Sequence, residues 1–373
     1  MIASALCHLR IFFMRFHGRP RFISSSCILF PGQGAQYVGM CQRLVTESTV
    51  SQLFEVAEKS LGYDLLNICL HGPEEDLNKT VHCQPAIVVA SLAALQHAKV
   101  TGAKVCLNGS DEPNSNVVTA GFSVGEVSAL IFSGALSFED GLKVVQVRAQ
   151  AMQEASDKHP SGLVSILAPA NLDIHLLCDH AKEWSHRSGT EEPVACVANY
   201  LFPGGWVIGG DKSSVKYILE FGKAKHGIKR AQLIPVSGAF HTILMKPAQE
   251  PLRHVLDSIT VQMPRCTVYS GTSCGPFTDV EQIKSLDYSS QSIDCCEMSP
   301  LAKTGQRQKV PKIAGLLVQQ LVEPVHWMKT IQNVIKQRTN PEKIFEVGPG
   351  KQLKAMISRI DRTLLDNFTN LET

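Results

Sequence analysis

No acidic residue precedes Glu47 in this 373-residue chain, whereas Arg10, Arg15, Arg19 and Arg21 fall early, among serines and large apolar side chains. Arginines interrupt the apolar run, which argues against a secretory signal with its unbroken apolar core. The pattern is that of a mitochondrial transit peptide over residues 1–26, with the mitochondrial matrix as destination. No later stretch reaches the roughly 20 apolar residues of a membrane-spanning helix. Charge is scarce everywhere: Asp, Glu, Lys and Arg make up 19% of the residues and the formal net charge is +2. That argues against a nucleic-acid binder whose affinity rests on neutralising phosphates, and it confines any basic docking surface to a local patch. The twelve cysteines contain no CxxC pair and no regular spacing. A disulfide framework and a zinc site are both disfavoured, and free thiols in a reducing compartment fit better. His175, Cys178 and His180 have ligand-like spacing, but they fall in one predicted helix without a fourth ligand nearby, so no metal is expected.

What the chain does have is apolar mass, 44% of its residues, enough to fill a sizeable core. After the leader, CILF reads as a buried strand that runs into the turn PGQG, followed by a helical pattern through Val45 and beyond. Residues 116–120 (NVVTA) form a second strand candidate, ended by GFSVG, after which EVSALIFSG has helical spacing and stops at Gly134. A further helix starts at Ser137, where SFED has the form of a capping box. Strand, sharp turn and helix in this order indicate α/β architecture, a large domain with a parallel sheet core made of residues 27–160 and 237–360. Residues 161–236 follow a different order, βαββαβ, which predicts a ferredoxin-like small domain inserted into the large one. The segment 271–310 is rich in Ser, Cys and Lys, shows neither helical nor strand periodicity, and reads as a disordered insertion. Residues 361–373 read as a C-terminal tail.

The chemistry concentrates at a few positions. Gly121-Phe122-Ser123-Val124-Gly125 spells the G-x-S-x-G nucleophile elbow, and it lies between a predicted strand and a predicted helix as that motif requires. Small residues permit a strained bend that lifts the Ser123 hydroxyl above the sheet; a plain strand-to-helix turn is the simpler alternative for so short a motif. A serine nucleophile needs a base, and His241, in the small-residue loop PVSGAFHT after a strand, is the best placed; His71, His82 and His326 also fall in loops and compete with it. No acidic residue stands out as a third member, so a Ser123–His241 dyad supported by a backbone carbonyl is the simplest arrangement. PGQG presents the backbone N–H of Gln33 without steric obstruction, which suits an oxyanion hole whose second donor is the N–H of Val124. A nucleotide-binding reading of the same glycines is weaker, since they do not form GxGxxG and no Walker lysine follows. Arg148, on a largely apolar helix face, would be costly to bury without an anion; the simpler alternative is a head that reaches solvent.

Taken together, FPGQGAQYVGM (30–40), QPAI (84–87), GFSVGE (121–126), RAQAM (148–152), VANY (197–200), FHT (240–242), PVHW (324–327) and EVGPGKQL (346–353) resemble, in content and order, the malonyl-coenzyme A:acyl carrier protein transacylases of fatty-acid synthesis. The resemblance spans nearly all of residues 28–360 outside the anomalous stretch. It implies a hydrolase-like large domain and a ping-pong transfer of malonyl from malonyl-coenzyme A to the phosphopantetheine thiol of acyl carrier protein. In it Ser123 is acylated, His241 is its base, Gln33 and Val124 are the oxyanion donors, and Arg148 pairs with the malonyl carboxylate. Gln84 and, more weakly, Asn199 are implied as polar pocket residues. Malonyl-coenzyme A and acyl carrier protein are then the partners, no metal or redox cofactor is needed, and a monomer is expected. Because the carrier protein is expected to be acidic, the basic run Lys223, Lys225, Lys229 and Arg230 is a docking candidate, although such a run also suits a plain solvated face. Two departures stand out: Phe122 replaces the His common before the nucleophile, and the family's segment whose carbonyl supports the catalytic histidine is broken after residue 270. Gly271 is the position left to supply that carbonyl. A serine esterase or thioesterase, and a catalytically impaired scaffold disabled by the insertion, are the rival readings.

Overall fold

The computed structural model describes residues 25–101, 117–277, 312–337 and 341–373. The leader through residue 24, and the part of the proposed insertion that follows Phe277, lie outside the described residues. The first strand, β1 (Ser26–Phe30), is apolar and buried along its whole length, as a central parallel strand covered on both faces must be. The expected helix directly after PGQG is not formed. Gly34, Gly39 and Cys41 all take positive φ, which breaks the segment into turns until α1 (Ser48–Leu61) begins.

Helices α2 (Leu65–His71) and α3 (Glu74–Asn78) lead to α4 (Thr80–Val100), in which every residue from Cys83 to Leu95 is buried. Pro85 lies inside this helix and has no N–H to give the carbonyl of Val81; the Tyr63 hydroxyl donates to that carbonyl instead, at 3.2 Å. Next come β2 (Val117–Gly121), α5 (Gly125–Phe132) and α6 (Phe138–Lys158). Ser137 caps α6, its side chain accepting the Asp140 N–H at 3.0 Å.

Residues 161–234 form β3 (Ser161–Leu167), α7 (Ile174–Arg187), β4 (Ala195–Phe202), β5 (Gly205–Asp211), α8 (Lys212–His226) and β6 (Arg230–Ile234). These make a four-stranded antiparallel sheet in the order β4-β5-β3-β6. Alternate residues serve different cores: Val164, Val197 and Ile208 pack with α7 and α8, while Leu163, Ala198 and Val207 join the main core. The sheet is thereby fastened between its own two helices and the rest of the molecule.

After a 3₁₀ turn at Ile243–Ala248 the chain continues through α9 (Gln249–Asp257), β7 (Thr267–Tyr269), α10 (Lys312–Gln320), α11 (Trp327–Gln337), β8 (Lys343–Val347) and α12 (Gln352–Ile360). Residues 361–373, read as a tail, instead supply a 3₁₀ turn and β9 (Phe368–Leu371), which pairs in parallel with β8. The result is an all-parallel five-stranded sheet in the order β7-β2-β1-β8-β9. Ile28 and Phe30 face the core shared with α4, α5 and α6, whereas Cys27 and Leu29 face that of α11 and α12. This is a helix–sheet–helix sandwich. The start of the supposed insertion, residues 271–277, is folded: the Ser270 N–H donates to Gly275 O at 2.9 Å and the Phe277 N–H to Val268 O at 2.8 Å.

The junction between β2 and α5 tolerates no side chain at Gly121, where a Cβ would lie 1.9 Å from the Gly125 carbonyl carbon and 2.1 Å from the Glu126 nitrogen. Those neighbours are backbone and cannot turn aside. Gly121→Ala is therefore expected to cost at least about 3 kcal/mol of folding stability, read as a lowered denaturant midpoint; a midpoint matching the parent would contradict this packing.

Candidate active site

β1 and β2 run in register, with Phe30 beside Gly121, so the turns that follow them emerge side by side at the carboxyl edge of the sheet. The Phe122 N–H donates to Phe30 O at 2.9 Å, and a Cβ on Gly32 would lie 2.4 Å from Phe122 O. Only a glycine lets these two turns close up. Ser123 takes φ +54°, a left-handed conformation that costs a non-glycine residue about 1–3 kcal/mol and that turns its hydroxyl away from the strand direction. The helix α5 starts two residues later.

Opposite it stands His241, held with φ +62° in the loop between β6 and the 3₁₀ turn. That loop is pinned by the Thr242 hydroxyl, which donates to Ala239 O at 2.6 Å. Ser123 Oγ and His241 Nε2 are 2.8 Å apart, and His241 Nδ1 lies 2.7 Å from Gln320 O. A carbonyl only accepts, so Nδ1 carries the ring proton and Nε2 offers its lone pair to the serine hydroxyl. The supporting carbonyl belongs to Gln320 and not to Gly271. Gly271 is committed elsewhere: its N–H donates to Glu126 Oε1 at 2.6 Å and its carbonyl accepts the His326 N–H at 2.8 Å. The segment after residue 270 thus supports Glu126 and α11, while the end of α10 holds the histidine.

Arg148 emerges from the buried face of α6 where α6 packs on α4. Its side chain is 1% exposed, so the guanidinium does not reach solvent. Nη1 donates to Gln84 Oε1 at 2.7 Å, and Nη2 donates to Gln320 Oε1 at 2.8 Å and to Ser123 Oγ at 3.2 Å. Ser123 Oγ therefore gives its proton toward His241 while receiving one from Arg148. A guanidinium has five N–H donors; three are engaged in these bonds, which leaves two for a ligand among the described residues.

Burial governs the charges. It pushes the Arg148 guanidinium down to about 10, opposed by the nearby Glu126 carboxylate, so arginine stays cationic at neutral pH. Burial pushes the Glu126 carboxyl up to about 8, against the lowering effects of the Gly271 N–H and of Arg148. His241 is driven down to about 4 by burial first and by Arg148 second, against the raising effect of the Gln320 carbonyl. A neutral imidazole thus stands beside a buried cationic guanidinium, a charge that an anion would balance.

The remaining positions fall as follows. Gln84, 1% exposed on α4, holds Arg148 and reaches Gln33 Oε1 through its Nε2 at 3.5 Å. Gln33 lies in the turn after β1, and Val124 stands between Ser123 and α5. Asn199 is buried on β4 beside Val325, and no hydrogen bond among the described residues joins it to Ser123, His241 or Arg148. Lys223, Lys225, Lys229 and Arg230 are all exposed at the end of α8 and the start of β6. The competing histidines lie elsewhere: His71 is exposed at the end of α2, His82 Nδ1 contacts Asp76 O at 2.9 Å, and the His326 ring stacks on Tyr200 at 4.8 Å. Phe122 packs edge-on against the buried Trp327, ring centroids 5.5 Å apart. Two residues at the site escaped sequence reasoning, Gln320 and Glu126. The signal available for each was a polar side chain at the end of a largely apolar helix, the last residue of KIAGLLVQQ and the first turn of GEVSALIF.

Known proteins are similar to this chain in sequence and fold. A family model described as the acyl transferase domain matches residues 28–296. The mitochondrial malonyl-CoA-acyl carrier protein transacylase of Mus musculus is 39% identical over 352 residues, covering 93% of this chain and 82% of that protein. The solved malonyl CoA-acyl carrier protein transacylase of Coxiella burnetii superposes with TM-score 0.73 at 29% identity, covering 93% of this chain and 94% of that one. A malonyl-transacylase solved in complex with its type II PKS acyl-carrier protein superposes with TM-score 0.71 at 29% identity, covering 93% and 95%.

The field of Arg148 on the imidazole has a direct readout. In histidine-labelled protein followed by NMR, His241 should titrate well below the ordinary 6.5, near 4. Replacing Arg148 by Ala should move that titration upward, because the positive charge opposing protonation is gone. A downward or absent displacement would show that the guanidinium does not act on the ring.

Proposed function

We propose, from the premise that this chain belongs to the acyl transferase family and within it to the malonyl-coenzyme A:acyl carrier protein transacylases, that the site moves malonyl from malonyl-coenzyme A to acyl carrier protein through a malonyl ester on Ser123. The observation that carries this reading is the buried Arg148 guanidinium beside the nucleophile, 3.2 Å from Ser123 Oγ, with donors left for the free carboxylate of a malonyl group. A serine esterase or thioesterase acting on neutral acyl chains has no use for that cation, and a scaffold without catalysis has no use for a serine and histidine 2.8 Å apart in strained backbone.

In the first half-reaction Ser123 Oγ attacks the thioester carbonyl as its proton passes to His241 Nε2; the C–S bond breaks and the coenzyme A thiolate takes that proton. The second half-reaction is the reverse with a different thiol: the carrier phosphopantetheine gives its proton to His241, attacks the ester, and returns Ser123 to its hydroxyl form. Backbone N–H groups of Gln33 and Val124 are assigned to the oxyanion, each worth roughly 2.7–4 kcal/mol in such sites. Gln84 steadies Arg148, and Asn199 is assigned to the pocket wall more weakly. Both steps exchange one acyl acceptor for another, so neither a metal nor a redox cofactor enters the scheme.

We further read the parallel-sheet portion as hydrolase-like and residues 161–236 as a ferredoxin-like insertion that covers the ester. Supporting this are the elbow between β2 and α5 and the antiparallel order β4-β5-β3-β6 with both helices on one face. Mitochondrial residence is supported by the arginine-rich leader and by the mitochondrial relative; the matrix, where fatty-acid synthesis would use the product, is part of the proposal, as is a monomeric state. The exposed Lys223, Lys225, Lys229 and Arg230 are assigned to docking of the acidic carrier, Lys225 Nζ lying 4.8 Å over the Phe221 ring.

Three experiments bear on these assignments. Intact-mass measurement after mixing with malonyl-coenzyme A should find one malonyl group on the parent and none on Ser123→Ala. Arg148→Ala should lower the preference for malonyl over acetyl by about tenfold to a hundredfold, the cost of one charged hydrogen-bond partner; an unaltered preference would remove Arg148 from the selectivity role. Separately, reversing charge at Lys225 and Lys229 should raise the Michaelis constant for the carrier and flatten its salt dependence. A constant that stays put in both respects would place docking elsewhere.

A further inference from the structure

Gln320, the last residue of α10, touches each of the three groups on which the proposed reaction depends, and it does so through three different atoms. Its carbonyl accepts from His241 Nδ1 at 2.7 Å, its Oε1 accepts from Arg148 Nη2 at 2.8 Å, and its Nε2 donates to the Ser123 carbonyl at 3.1 Å. The residue is fully buried. A neutral amide here does what neither an acid nor an apolar side chain can do at once: its oxygen faces a cation and its nitrogen faces a carbonyl, so both ends are satisfied in one orientation.

The guanidinium needs such a hold. The Nη2 that approaches Ser123 Oγ at 3.2 Å is the nitrogen that Gln320 Oε1 grips at 2.8 Å, while Gln84 grips only Nη1. With Gln84 alone, Nη2 rests only on its longer contact to Ser123 Oγ. With Gln320 added the fork is fixed at both terminal nitrogens and tied to the elbow backbone. We infer that the Gln320 side chain is a positioning residue for acyl selection, aligning Arg148 with the nucleophile elbow so that a carboxylate bound to the arginine presents its thioester carbonyl to Ser123. This deepens the malonyl-transfer reading and rests on it. The histidine contact uses the main-chain carbonyl and is separate from the side-chain role.

The separation makes the idea testable. Gln320→Met keeps length and burial, removes both polar ends, and leaves a main-chain carbonyl for His241. Pre-steady-state acylation of Ser123 by malonyl-coenzyme A and by acetyl-coenzyme A, each measured from pH 5 to 8 on the full chain, gives the ratio of the two specificity constants and the titration of the base. The expected result is a malonyl-to-acetyl ratio reduced about tenfold, arising in the malonyl Michaelis constant, with the acid limb of the profile where the parent has it. In an Arg148→Ala background the same substitution should change the ratio less than about twofold, because the group it orients is gone. A fall in both acyl donors by the same factor, or ratio changes that multiply in the double variant, would overturn the inference and leave a structural residue. Gln320→Glu is the second variant should the methionine protein not fold: its carboxylate next to Arg148 should raise the malonyl Michaelis constant more than the acetyl one, and equal constants would also overturn it. A parent that forms no malonyl-Ser123 would bring down the transfer reading itself, and this inference with it; a parent that does so while its Gln320 variants keep its preference would sink the inference alone.

Discussion

A guanidinium buried to 1% exposure without a full counter-charge is the constraint around which this site is arranged. Stripping water from such a group costs several kcal/mol unless donors are paired and an anion is near. Three neutral acceptors, from Gln84, Gln320 and Ser123, take up part of that cost. Glu126, the carboxyl that acts on Arg148 among the described residues, is itself pushed up to about 8 by burial, which weakens it as a counter-charge. On the proposed reading, the unmet remainder is what a ligand carboxylate would satisfy. The same positive field depresses His241, so a bound carboxylate would both satisfy Arg148 and relieve its opposition to protonation of the ring. Selection and base strength are then linked through one charge.

The scaffold explains why the charge can be held there. Two parallel strands in register bring PGQG and GFSVG to one edge, α6 lies across α4 so that Arg148 meets Gln84, and α10 ends where its last carbonyl and side chain reach the other three groups. The strain in Ser123 and His241 is sustained by glycines that let backbones touch and by the tight hydrogen bonds of the Thr242 loop. Among the described residues no acidic third member supports His241. The neutral Gln320 carbonyl suffices to set its tautomer, and on the proposed reading it avoids placing a second carboxylate where a malonyl carboxylate would enter.

Much of this was legible in the residues. The elbow, the capped start of α6 at Ser137 and the βαββαβ order of residues 161–236 all follow from local rules of spacing and turn chemistry, which operate over a few residues. What was not legible depends on distant packing. α4 is buried on every side, so it lacks the one-sided apolar stripe that marks a helix in sequence. The turns at Gly34, Gly39 and Cys41 override a helical apolar pattern through positive φ. Residues 361–373 look like a tail because β9 is short and half exposed, yet strand pairing with β8 is a long-range property. Above all, the resemblance put the carbonyl for His241 in the segment after residue 270, where Gly271 could still supply it, whereas folding gives that place to Gln320 and commits Gly271 to Glu126. Which carbonyl meets a ring nitrogen is decided in space, and the anomalous stretch between the two residues hid the answer.

The most direct test of the whole account is a crystal structure of the protein trapped after reaction with malonyl-coenzyme A. It should contain a malonyl ester on Ser123 Oγ, with the free carboxylate within hydrogen-bonding distance of the Arg148 guanidinium and His241 still bonded to the Gln320 carbonyl. An ester whose carboxylate points away from Arg148, or an acyl group attached to any other residue, would contradict it.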